Sequence, residues 1–343
     1  MNILIVRLSA IGDIIHSLPV LAAIKRHLPD AHVSWVAEQR SAEILRGNPM
    51  IDDLIEVNTR AFKGGRRIED ILIEMSRQAR DIRRSKYDIA IDLQGLIKSA
   101  VATQVSAAKR RWGFDKNGMR EPAGRIFYTD TVKTEPKTHV IRKNLALAAA
   151  AIGFDASAKI EFPISTEEQH RAEANELIAK TNGREFAILN PAGGWVTKLW
   201  RAADFGKLAD RIDNELGLTP IVVTGPNENE LAGIVRTNSG SERIIFAEPS
   251  LKGFYELAKA ATVYVGGDTG PTHLAIAASA PVVGIFGPTE WWRNGSLDPK
   301  DICVERTDIE CRINCHRRTC SNWICMDISV DAVFDAVRKR IAA

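Results

Sequence analysis

No apolar run in this 343-residue sequence approaches the roughly 18 to 20 residues that a helix needs to cross a bilayer. An ordinary helical membrane span is therefore excluded. Cysteine is missing from most of the chain. All five cysteines (Cys303, Cys311, Cys315, Cys320 and Cys325) lie after residue 300, so they cannot form a disulfide framework for the whole chain. Charge of one sign is also lacking. The 46 Lys and Arg stand against 43 Asp and Glu, a formal net charge of +3, too small to imply a nucleic-acid partner. The first residues, Met1 to Arg7, carry neither the basic leader nor the small-residue cleavage site of a secretory signal. The expectation is a cytoplasmic protein with reduced thiols. No G-x-G-x-x-G element follows a strand, which leaves a dinucleotide site little support. There is no low-complexity tract, and no repeat beyond a duplicated α/β pattern.

What is present is an ordinary globular composition, 45% hydrophobic and 26% charged, in a chain long enough for two domains. Short apolar runs alternate with helical periodicity, the pattern of βαβ units around a parallel sheet. In the first half, strands are expected near 3–8, 33–37, 54–57 and 88–93. Helices are expected near 14–27, 68–86, from about 96, and over 139–152. Pro19 inside the first helical pattern predicts a kink or a late start. In the second half, strands are expected at 186–190, 220–224, 244–246, 263–265, 282–286 and 302–305. Helices are expected near 167–180, 203–215, 228–236, 251–260, 271–279 and 330–341. The polar stretch 166–184 marks the boundary, giving domains at 1–165 and 183–325 and a closing helix in 326–343.

Parallel α/β sheets bind ligands beyond the carboxyl ends of their strands, so the loops there carry the functional reading. The first is Ser9-Ala10-Ile11-Gly12-Asp13, in which Gly12 permits a tight turn. Asp13 either caps the following helix or acts chemically, and the loop alone leaves both open. The second is Gly266-Gly267-Asp268-Thr269-Gly270-Pro271-Thr272-His273. Proline suits the first turn of a helix, and the N–H groups around Thr269, Gly270 and Thr272 then face an anion with the helix dipole behind them. A diphosphate is the natural guest, with His273 close by. The third is Asn190-Pro191-Ala192-Gly193-Gly194 leading to Lys198, a point charge for a phosphate. In the fourth, Gly225-Pro226-Asn227-Glu228, Glu228 suits ribose hydroxyls. The spacing Cys311-x₃-Cys315-x₄-Cys320-x₄-Cys325 matches structural zinc poorly, and no metal is expected there.

Taken together, Arg7-Leu8-Ser9-Ala10-Ile11-Gly12-Asp13, Asp92-Leu93-Gln94-Gly95-Leu96-Ile97-Lys98-Ser99, Lys198-Leu199-Trp200 and Asp268-Thr269-Gly270-Pro271-Thr272-His273 resemble glycosyltransferase family nine, the ADP-heptose:lipopolysaccharide heptosyltransferases. The resemblance spans nearly the whole chain in the family's order. It implies a GT-B fold, α/β, with two Rossmann-like domains facing across a cleft and the C-terminal helix packing back toward the N-terminal domain. It implies inversion at the anomeric carbon, with ADP-heptose as co-substrate and neither metal nor other cofactor required. The first half is most similar to heptosyltransferase I, which acts on Kdo of lipid A. This chain departs from that subtype at Ala192-Gly193-Gly194, where hydroxyl residues are usual, and at Arg201, where proline is common.

By the same resemblance, domain 1–165 binds the acceptor and domain 183–325 the ADP-sugar. Asp13 is the general base, and Lys198 stabilises the departing diphosphate. Gly193, Lys198, Glu228, Asp268, Thr269, Gly270 and His273 form the donor site, with Asp268 and Glu228 on sugar or ribose hydroxyls. Ser9, Gly12, Gln94, Lys98 and Arg120 would meet the acceptor. The basic cluster Arg60, Lys63, Arg66 and Arg67 suits an acceptor with carboxylates and phosphates at an anionic inner-membrane surface. Heptosyltransferase II or III, another nucleotide-sugar transferase, and a nucleotide-sugar binding protein without turnover remain as alternatives. Asp13 argues against the last.

Overall fold

The computed structural model describes residues 1–59, 68–157, 159–312, 315 and 317–343. The basic cluster Arg60, Lys63, Arg66 and Arg67 lies outside the described residues. The chain divides into two units, Met1–Ser165 and Thr166–Ala343, each built on a parallel sheet of six strands.

In the first unit the chain runs β1 (Asn2–Val6), α1 (Ile11–Ile15), α2 (Leu18–His27), β2 (His32–Glu38), β3 (Asp53–Val57), α3 (Ile68–Ile82), β4 (Ile89–Asp92), α4 (Ile97–Val105), β5 (Arg110–Phe114), β6 (Asp130–Val132) and α5 (Val140–Ile152). The strand order is β3-β2-β1-β4-β5-β6, the doubly wound order of Rossmann folds. β1 reads as an unbroken apolar run because both its faces are covered. Leu4 and Val6 join Val36 and Ala90 in one core cluster, and Ile3 and Ile5 are equally inaccessible. The helical pattern at 14–27 is broken in two. Pro19 has no N–H to give and would crowd the carbonyl of Ile15, so α1 stops there and α2 restarts with Pro19 in its first turn. The sequence reading did not anticipate β5 and β6.

The second unit runs α6 (Glu168–Ala179), β7 (Phe186–Asn190), α7 (Ala202–Leu216), β8 (Thr219–Val223), α8 (Asn229–Thr237), β9 (Ile245–Ala247), α9 (Leu251–Lys259), β10 (Val263–Gly267), α10 (Gly270–Ala277), β11 (Val282–Phe286), α11 (Trp291–Asn294), β12 (Ile302–Glu305) and α12 (Val330–Ile341). Its order is β12-β11-β10-β7-β8-β9, so the same winding is repeated. Within its own unit the C-terminal helix packs against α7, β10, β11 and β12. Val333, Phe334 and Val337 form an apolar stripe that completes this core, and buried Arg340 pairs with Asp301 at 2.7 Å.

One glycine in β10 is dictated by packing. A Cβ at Gly266 would land on the ring and hydroxyl of Tyr264, which is fully buried and hydrogen-bonded to Thr272 Oγ1 at 2.9 Å. That phenol cannot swing aside without losing its partner. Gly266→Ala is expected to cost about 1 to 3 kcal/mol of stability through overpacking, read as a lower urea midpoint with an unchanged slope.

Candidate active site

In each sheet the strand order reverses direction between two neighbouring strands, and the crevice beyond their carboxyl ends is where such folds hold ligands. In the first unit those strands are β1 and β4, paired from Ile3↔Ile89 to Val6↔Asp92. In the second they are β7 and β10, paired from Val263↔Ala187 to Gly266↔Asn190. Three of the loops singled out from the sequence leave β1, β7 and β10, and the Asp92–Ser99 motif leaves β4; the Gly225 loop follows β8.

At the first switch point Asp13 sits on the first turn of α1 with its side chain 46% exposed and bonded to Arg7 Nη2 at 2.7 Å. Ala10 N–H donates to Asp13 Oδ2 at 3.1 Å. Arg7 is buried and also donates to the Leu93 carbonyl, so it ties the ends of β1 and β4 together beneath the carboxylate. Each carboxylate oxygen has two lone pairs, which leaves Asp13 able to accept a further proton from the exposed side. Leu8 N–H donates to Gln94 Oε1 at 2.8 Å, which fixes that amide against the β1 loop. Lys98 reaches Ser9 Oγ at 3.4 Å and Glu38 Oε1 at 2.6 Å. Ser9, Asp13, Gln94 and Lys98, with Gly12 in the turn, thus converge. Arg120 is exposed, next to Glu121, whose carboxylate takes the Ile97 N–H at the start of α4.

Two members of this cluster were not named as site residues from sequence. One is Arg7. The other is Glu38, at the end of β2, whose oxygens are held by Lys98, Thr59 at 2.6 Å and Arg40 at 2.8 Å. Burial alone would raise the Glu38 carboxyl, but these donors outweigh it and hold the group below the usual carboxylate range. Asp92, fully buried, has its oxygens taken by the Gln94 and Gly95 N–H groups and by the Tyr128 hydroxyl at 2.7 Å. It shapes the turn after β4.

At the second switch point Asp268 is the hub. Lys198 Nζ contacts its Oδ2 at 2.6 Å, with the two side chains 13% and 4% exposed. His273 Nε2 lies 3.1 Å from its Oδ1, and Asn294 donates to the same oxygen at 2.6 Å. Three protein groups thus bond to the oxygens of Asp268, the residue expected to hold sugar hydroxyls. Asn294, the third of them, carried no sequence signal. Burial alone would raise the Asp268 carboxyl, yet the His273 hydrogen bond and the Lys198 charge prevail and hold it far below the usual carboxylate range. Its folded value lies below its unfolded one, about 3.9. The linked stability is therefore complete above that value and is lost as the pH falls through the folded value. Wild-type stability should drop on going from about pH 5 to about pH 3 more than that of Asp268→Asn, which has already lost this contribution. Urea midpoints at the two pH values check this.

Thr269 precedes α10 in extended conformation, and Pro271 stands in the helix's first turn. The N–H groups of Gly270 and Thr272 belong to the first turn, where a helix has no partners of its own to offer. A Cβ at Gly267 would sit 3.1 Å from the Lys198 carbonyl, so this glycine lets the Lys198 turn abut the end of β10. Gly193 packs under Leu199 in that same turn. Glu228 lies one strand further out, after β8, and its carboxylate takes the Gly225 N–H at 2.6 Å.

Comparison with known proteins now decides the family. Residues 75–324, more than half of the chain, match the model for Glycosyltransferase family 9 (heptosyltransferase). The chain belongs to glycosyltransferase family 9. Among curated family members, the Campylobacter coli lipopolysaccharide heptosyltransferase 1 is 29% identical over 86% of this chain and 86% of its own length. The Escherichia coli lipopolysaccharide heptosyltransferase 3 is 22% identical over 82% of this chain and 83% of its own. The solved E. coli heptosyltransferase WaaC with ADP superposes with a TM-score of 0.80 at 23% identity, covering 99% of this chain and 100% of that one. The fold class is thereby that of the family's transferases, α/β with two Rossmann-like domains of GT-B type. Like the other members of family 9, the protein is a glycosyltransferase.

Proposed function

We propose that the protein moves heptose from ADP-heptose to Kdo of the lipopolysaccharide inner core, as a heptosyltransferase 1. The observation that carries this reading is the Lys198–Asp268–His273 cluster at the start of α10. It presents a cation and a helix N-terminus to one spot, an arrangement suited to a departing diphosphate. Relatives bearing the type 1 name, at up to 29% identity, support the subtype.

In this mechanism the acceptor hydroxyl lies against Asp13, which takes its proton as the oxygen attacks the anomeric carbon from the side opposite ADP. The bond from that carbon to the diphosphate oxygen breaks, and ADP leaves with the electron pair. Lys198 and the N–H groups at the start of α10 stabilise the charge that builds on it. Arg7 and Gln94 hold the base and its loop, and Lys98 and Arg120 meet anionic groups of the acceptor. Glu228 serves the ribose, and no metal is assigned a step. Ile97, Val101 and Ile126, exposed apolar side chains of the first unit, suit an amphiphilic acceptor at the inner-membrane surface.

The test is incubation of the full chain with ADP-heptose and either Kdo-lipid A or an acceptor that already carries heptose, read by product mass. Gain of one heptose on the first acceptor is expected. Reaction on the second alone overturns the subtype, and no transfer to either overturns the substrate assignment.

A further inference from the structure

The segment before α12 holds a cation outside the four motifs quoted above. Half-buried Trp195 has Lys198 Nζ 4.3 Å from its ring centroid and the Arg318 guanidinium 5.2 Å from it. One indole therefore carries two cations, no further apart than those two distances combined. Lys198 has Asp268 as its counter-charge. Arg318 is exposed and has no ion pair among the described residues. Like charges that share one indole repel, and an anion that reaches both relieves the cost.

Their proximity is enforced by the fold. The buried hydroxyl of Thr197 donates to the Arg317 carbonyl at 2.6 Å, and Trp323 Nε1 donates to the Thr197 carbonyl at 2.9 Å. The residue just before Lys198 is thus bonded to both ends of the 317–323 segment, with Arg318 between the two attachments.

We propose that Arg318 is a phosphate-binding residue of the donor site, meeting the diphosphate of a nucleoside diphosphate sugar together with Lys198. The guanidinium can present two N–H groups to one phosphate, while Lys198 supplies a single point charge. This inference rests on the donor-site reading above. Its contribution falls on the second phosphate, since Lys198 and α10 already provide for one.

Binding of ADP and of AMP to the full chain, measured by calorimetry, tests it in wild type, Arg318→Ala, Arg318→Lys and Arg317→Ala. Arg318→Ala is expected to weaken ADP about tenfold, the scale of one charge-assisted hydrogen bond, and to leave AMP nearly unchanged. Arg318→Lys should recover part of the loss. Arg317→Ala, which removes a neighbouring exposed charge but keeps the carbonyl that Thr197 uses, should bind ADP like wild type. Wild-type affinity for ADP in Arg318→Ala overturns the inference, as does an equal loss for ADP and AMP. Failure of the wild type to bind ADP overturns the donor-site reading itself, and Arg318 falls with it.

Discussion

Asp13→Asn should lower kcat by about 10² to 10⁴-fold, the span usual for loss of a positioned proton acceptor, while the ADP-heptose KM stays close to wild type. Asparagine is chosen because its carbonyl oxygen can still take the Ala10 N–H. Arg7, which is buried, then keeps a polar neighbour as well as the Leu93 carbonyl. Asp13→Ala would leave that guanidinium facing an empty space and mix a folding defect with the chemical one. The carboxylate is nearly half exposed, so solvent screens its pairing with Arg7 and the melting temperature of the Asn variant should move little. Steady-state kinetics beside a thermal melt separate the two effects. Near wild-type turnover would remove Asp13 from the mechanism. Glu38 could not replace it, because its side chain is buried beneath three donors and its proton affinity is depressed. The acceptor's proton would then need another route.

Much of this arrangement can be read from the sequence, and what cannot has a physical reason. The strands of each switch point are apolar on both faces, so they stand out as runs. The helix at 330–341 was legible because its buried stripe repeats on one face. β5 begins Arg110-Arg111, with an exposed and a half-exposed residue, and β6 is a three-residue edge strand. Neither has enough apolar alternation to announce itself. The glycines and proline around Asp268 marked the anion turn, but the pairing within it did not show. Lys198 and Asp268 are 70 residues apart, and Lys98 and Glu38 are 60 apart. Such contacts follow from strand order, which a pattern of neighbours does not encode. Asp268 shows the same limit: seen alone, a buried carboxylate at a strand end invites a substrate, and its bonds to Lys198, His273 and Asn294 do not show.

The Lys198–Asp268 pair separates structural from chemical contributions. Lys198→Met removes one partner of a buried ion pair and leaves Asp268 facing His273 and Asn294 alone, a change that costs about 3 to 5 kcal/mol when the other charge stays unpaired. Asp268→Asn has the converse fault, since it strands a mostly buried ammonium. In the double variant neither charge is left over, so its unfolding free energy should recover most of the single-variant loss, a coupling that a double-mutant cycle reads directly. Turnover should not follow. The cation that meets the leaving diphosphate is missing from both Lys198→Met and the double variant, and each should lose about 10² to 10³-fold in kcat. Stability restored together with activity would mean that Lys198 serves only to neutralise Asp268, and leaving-group stabilisation would then have to come from the start of α10. Stability restored without activity assigns the ammonium to the departing phosphate, with Asp268 as the group that aims it.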